Sequence, residues 1–121
     1  MRLTIKATGI EHTNAIDAYV IKRLRELERV LEPKEKSELA RIDVGMDSKH
    51  HKKGDVFYAE ITFRARKKAF RARAHSENLY AAIDEMKDEV VREVREHHDR
   101  TRALAKEGAR EMKRRIQKAV K

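Results

Sequence analysis

Residues 56–75 read VFYAEITFRARKKAFRARAH, and this stretch decides the fold. Phe57, Ala59, Ile61, Phe63 and Ala65 occupy every second position, opposite Tyr58, Glu60, Thr62, Arg64 and Arg66. After Lys67-Lys68 the alternation resumes, with Phe70, Ala72 and Ala74 opposite Arg71, Arg73 and His75. A period of two is the mark of a strand with one dry and one wet face. Two such runs in close succession predict a hairpin turning at Lys67-Lys68, without the Asn-Gly or Gly-Gly usual in tight hairpins.

Working outward, residues 2–8 alternate in the same way, with Leu3, Ile5 and Ala7 on one side. Residues 39–47 alternate again, placing Ala40, Ile42, Val44 and Met46 on one face. Between them Ile16, Val20, Leu24, Leu27 and Leu31 recur at helical spacing. Thr13 or Asn14 is positioned to cap that helix, and Pro33 ends it. A second helical stripe reads Leu79, Ile83, Met86, Val90 and Val94, with Ser76 as its candidate cap. The order is β-α-β-β-β-α. It predicts an α+β fold, a four-stranded sheet with both helices packed on one face. The domain is expected to span residues 1–102. Residues 103–121 are expected to form a basic helical C-terminal tail, with Leu104, Met112, Ile116 and Val120 at multiples of four.

Charged residues make up 42% of the 121 positions, and the net charge is +9. An average domain carries about 25% charged residues. A surplus this basic points to a polyanionic partner, with nucleic acid ahead of an anionic membrane. The tail holds seven Lys or Arg against two Glu, over half of the net charge. Lys22, Arg25 and Arg29 share one face of the first helix, with Arg23 beside them. Lys87, Arg95, His98 and Arg102 form a similar line on the second, with Arg92 beside it and Arg100 near its end. Rows of guanidinium groups suit a phosphate backbone. The alternative reading is a solvated face laced with Glu26, Glu28, Glu89, Glu93 and Glu96. The outer sheet face is also basic but offers only Tyr58 for stacking, which argues against base recognition there.

Other classes of function find little support. No cysteine is present. His50-His51 and His97-His98 are adjacent pairs, lacking the i,i+4 spacing that puts two imidazoles on one helix face, so no metal and no cofactor are expected. The composition carries no nucleophile motif and no phosphate-binding glycine loop, and no enzymatic activity or small-molecule substrate is expected. No signal-like or membrane-spanning segment is read, so a cytoplasmic location without membrane association is expected.

The stretch Ser76-Glu77-Asn78-Leu79-Tyr80-Ala81-Ala82-Ile83-Asp84 resembles the helix entry of ribosome hibernation-promoting factors, also called ribosome-associated inhibitors. The likeness extends over residues 1–102, through Leu27-Glu28, His50-His51 and Arg92…His97-His98-Asp99-Arg100. It implies a fold like that of double-stranded-RNA-binding domains. It also implies a non-enzymatic factor, a monomer when free, that binds the small ribosomal subunit and its rRNA in the decoding region. There it blocks mRNA and tRNA and silences idle ribosomes, as under stress or in stationary phase. Carried over by position, the RNA-binding residues are Arg23, Arg92, His98, Arg100 and Arg102. Glu26, Glu89 and Glu96 stand where family members often have Lys, with Lys22, Arg25, Lys87 and Arg95 as nearby positives. The likeness is to the short form, without the added domain that pairs two ribosomes. The competing readings are a general double-stranded RNA binder and a basic protein-interaction module.

Overall fold

A computed structural model describes residues 1–36, 39–47 and 56–119. The elements are β1 (Arg2–Thr8), α1 (Asn14–Val30), β2 (Leu39–Met46), β3 (Phe57–Ala65), β4 (Lys68–Ser76) and α2 (Leu79–Ala119). The strands form one sheet in the order β1-β2-β3-β4. β1 and β2 run parallel across the α1 crossover, and the other two pairings are antiparallel. α2 lies against β3 and β4, and α1 packs beside it. The loop carrying His50 and His51 lies outside the described residues.

The alternation read from the sequence sets the core. Ala40, Ile42, Val44, Ala59, Ile61, Phe63, Ala65, Phe70, Ala72 and Ala74 are buried under the helices. Ile16, Val20, Leu24 and Leu27 meet them from α1, and Ile83, Met86, Val90 and Val94 from α2. Met46, at the end of β2, is exposed and lies outside this core.

Local chemistry fixes the ends of the elements. The Thr13 hydroxyl accepts the Ile16 N–H at 3.2 Å, so Thr13 caps α1. α2 is capped by Asn78 in place of Ser76. Its Oδ1 accepts the N–H groups of Tyr80 and Ala81 at 2.8 and 3.3 Å, while Ser76 closes β4. The hairpin turns one residue earlier than expected: Ala65 pairs with Lys68, leaving Arg66-Lys67 as a two-residue loop. Arg66 takes φ 58°, a conformation that a glycine adopts freely and an arginine at some cost. This position also removes Arg66 from the outer sheet face; its guanidinium pairs with Glu32 at 3.2 Å.

The outer sheet face is a connected polar surface. Thr8 and Tyr58 donate to the same Asp43 oxygen at 3.2 and 3.3 Å. The Arg73 guanidinium covers the Tyr58 ring at 4.4 Å, and Tyr58 is buried. Burial, together with the Asp43 carboxylate, pushes the Tyr58 phenol up. Glu60 accepts from Arg71 at 2.8 Å and from Arg73 at 3.4 Å. Burial disfavours its carboxylate, but the two arginines outweigh that and hold it below the ordinary 4.5. At Gly45 a Cβ would sit 2.1 Å from the Thr8 carbonyl oxygen, so β1 and β2 approach there only because glycine lies between them.

Two outcomes follow from this packing. Gly45→Ala should cost about 1–3 kcal/mol, since backbone must move to accept the methyl; urea melts measure it. Glu60→Gln should lower stability at neutral pH. The difference from the unaltered chain should vanish in acid melts as pH falls below 4.5 and through the lower folded-state value, because a depressed carboxylate stabilises only while ionised.

Candidate nucleic-acid interface

α1 and α2 meet along a seam of neutralised charges. Arg23 Nε lies 2.7 Å from Asp84 Oδ1, and the Tyr19 hydroxyl donates to the same carboxylate at 2.8 Å. The Tyr80 ring stands edge-on to Tyr19, with centroids 4.7 Å apart. Tyr80 is 39% exposed, while Ile83 is fully buried. Further along, Lys87 Nζ lies 2.5 Å from Glu26 and also contacts Asp88. Burial disfavours the Lys87 ammonium, but the hydrogen bonds and charges of Asp88 and Glu26 prevail and raise its pKa above 10.5.

The last link joins α2 to the turn after α1. Glu35 is 3% exposed, and its Oε1 accepts the Glu32 backbone N–H at 2.7 Å. The same carboxylate accepts from His98 Nε2 at 3.0 Å, with His98 itself only 9% exposed. Neighbouring His97 is depressed below 6.5, first by burial and then by the positive charges of Lys68 and Arg100. Its imidazole is therefore neutral near pH 7 and brings no charge to a phosphate.

These contacts sort the sequence-predicted residues into two groups. Lys87 and His98 point into the seam, and Arg23 is tied to Asp84 along it. The charges of Lys87 and Arg23 are spent within the fold, and the His98 imidazole is held by Glu35. Lys22, Arg25 and Arg29 are exposed on the face of α1 opposite the core, within an arc of roughly 60°. Arg92 and Arg95 are exposed on the outward face of α2. Arg100 is exposed on the α2 flank near His97 and Lys68. None of these six forms an ion pair with a described residue. Arg102 is exposed and loosely paired with Asp99 at 3.6 Å.

Sequence reading missed Tyr19 and Glu35 as organisers of the seam. A signal was present for the inward residues: Val90, Val94 and His98 are spaced by four, so His98 continues the buried stripe. Lys87 lies about 60° from Val90 on the helix, inside the same buried arc. Glu26 also becomes intelligible, since it supplies the negative partner of Lys87. Among the described residues no cluster of His, Asp or Glu could hold a metal ion. No helix among the described residues is long and apolar enough to cross a membrane.

Residues 3–102 match the family described as sigma 54 modulation protein / S30EA ribosomal protein, and the chain belongs to that family. A ribosome hibernation promotion factor from Picosynechococcus sp. is 29% identical over 101 residues, 83% of this chain and 50% of the relative. The chain thus spans about half the length of that curated relative. Among solved structures, the N-terminal domain of Thermus thermophilus Protein Y superposes with a TM-score of 0.67 at 26% identity, covering 80% of this chain and 99% of that domain. A ribosomal subunit interface protein from Coxiella burnetii shares the fold with a TM-score of 0.65 at 13% identity, over 82% of this chain and 99% of its own.

Because His98 holds a buried carboxylate, His98→Leu should destabilise the chain by about 3 kcal/mol. Binding to RNA, measured under conditions where the variant is folded, should keep the same salt dependence.

Proposed function

We propose that the chain is a ribosome hibernation factor of the cytoplasm. It binds the small ribosomal subunit through rRNA in the decoding region, and there excludes mRNA and tRNA. The observation that carries this reading is the set of outward cations, Lys22, Arg25, Arg29, Arg92, Arg95 and Arg100, presented on a scaffold of the S30EA family. Internal pairs neutralise the seam between the helices, so the outward positive charge is left for phosphate. Arg102 adds to it at the domain's edge, while Lys87, His98 and Arg23 serve as supports that hold the two faces in register. Phosphate recognition of this kind needs no bond-making chemistry, in keeping with a non-enzymatic role.

A general double-stranded RNA binder would use the same cations without preference for a site. Equal affinity for an arbitrary RNA duplex and for vacant small subunits would favour it. On the ribosomal reading, the chain cosediments with vacant small subunits at low salt and competes with mRNA and initiator tRNA. Six phosphate contacts give a log–log salt slope on the order of −4 to −5. Arg92→Glu with Arg95→Glu should weaken binding by at least about tenfold while leaving the melting curve nearly unchanged, because both side chains are exposed. Unchanged affinity would remove the helix faces from the interface.

A further inference from the structure

α2 does not end where the sheet ends. Its last 21 residues, 99–119, extend the helix by about 31 Å, and every one of them is exposed. This arm carries eight Lys or Arg against three Asp or Glu. The charges are not spread evenly around it. At 3.6 residues per turn, Leu104, Ala105, Gly108, Ala109, Met112 and Ile116 fall within an arc of roughly 140°, interrupted only by Thr101 and Arg115. Lys106, Lys113 and Lys118 flank that arc, and Arg110 and Arg114 lie opposite it. Leu104, Met112 and Ile116 are 68%, 59% and 57% exposed, so the apolar side of an amphipathic helix stands uncovered.

The composition of this face narrows what covers it. Contact with phosphates alone requires the cations and gives no reason for an apolar side. A second copy of the arm would set Arg115, within the apolar arc, and the flanking Lys106, Lys113 and Lys118 against their like-charged counterparts. The outer sheet face of the same chain is basic, with Arg71 and Arg73 exposed on it. A lipid surface is usually held by Trp, Phe or several Leu, whereas the centre of this face is Ala105, Gly108 and Ala109. Nothing lies within 4 Å of where a Gly108 Cβ would be, so that centre is open to close backbone approach. Small residues flanked by a few large anchors fit an apolar groove on another protein, and the surrounding cations fit an acidic rim.

We infer that the arm, residues 99–119, is a protein-docking helix. Its apolar side seats in an acid-rimmed apolar groove of a protein component of the small subunit, while the domain itself holds rRNA. This rests on the small-subunit reading above. The anchors are Leu104, Met112 and Ile116; the cations orient the helix and keep it from pairing with itself.

Met112→Ser with Ile116→Ser removes two anchors and keeps every cation. Both side chains are exposed, and circular dichroism checks that the helix survives. The inference expects affinity for vacant small subunits to fall at least about tenfold with an unchanged salt slope. It also expects benzoylphenylalanine introduced at position 112 of the full chain to cross-link to protein on the subunit. Unchanged affinity, or cross-links to rRNA alone, would overturn it. So would flotation with phosphatidylglycerol vesicles, or a dimer in sedimentation equilibrium, if the double variant abolished either while subunit affinity stayed intact. If the unaltered chain itself failed to cosediment, the small-subunit reading and this partner would fall together. Cosedimentation that ignores the two anchors would sink the docking inference alone.

Discussion

The seam between α1 and α2 is the constraint on which the rest of the structure depends. Polar and charged side chains held between two packed helices cost free energy unless each meets a partner there. Arg23 with Asp84, Lys87 with Glu26, and His98 with Glu35 provide that pairing at three successive levels. Each link joins residues more than sixty positions apart. The Arg23–Asp84 pair is partly exposed and adds little, whereas removing a partner of buried Lys87, Glu35 or His98 strands a polar group inside the fold. The effect of the three links is to set the rotation of both helices about their axes. That rotation turns Lys22, Arg25, Arg29, Arg92 and Arg95 outward.

Part of the chain's acidic complement is used inside the fold. Glu26, Glu35 and Asp84 are spent inside the seam. Glu60 is spent on the outer sheet face, where Arg71 and Arg73 share its one carboxylate. The sheet's outer surface is thereby closed as a stacking platform, with Tyr58 lying beneath Arg73 and not offered to a base. Cations without an ion pair to a described residue remain on the outward helix faces, among Glu89, Glu93 and Glu96 on α2, on the sheet at Arg2, Lys6 and Arg41, and on the arm.

The strands and helices were legible in the sequence because period two and period 3.6 are each unbroken over the core segments. The alternation across Phe57–Ala65 and Phe70–Ala74 located the hairpin, yet its turn lay one residue earlier, at Arg66-Lys67, because cross-strand pairing and not composition set the register. The parallel pairing of β1 with β2 follows from the α1 crossover, which periodicity alone does not order within a sheet. The interface was less legible. Lys87 and His98 were grouped with the outward cations by residue type, whereas helical phase places them on the buried stripe. Tyr19 and Glu35 gave no local signal, since their partners Asp84 and His98 lie on another helix.

The central claim is that the outward faces of α1 and α2 hold the small subunit's rRNA where mRNA and tRNA pass. A cryo-electron microscopy reconstruction of the chain bound to vacant small subunits tests it most directly. The account predicts density in the decoding region, with Lys22, Arg25, Arg29, Arg92 and Arg95 against rRNA phosphates and the sheet turned away. Density elsewhere on the subunit, or the sheet face against the RNA, would contradict it.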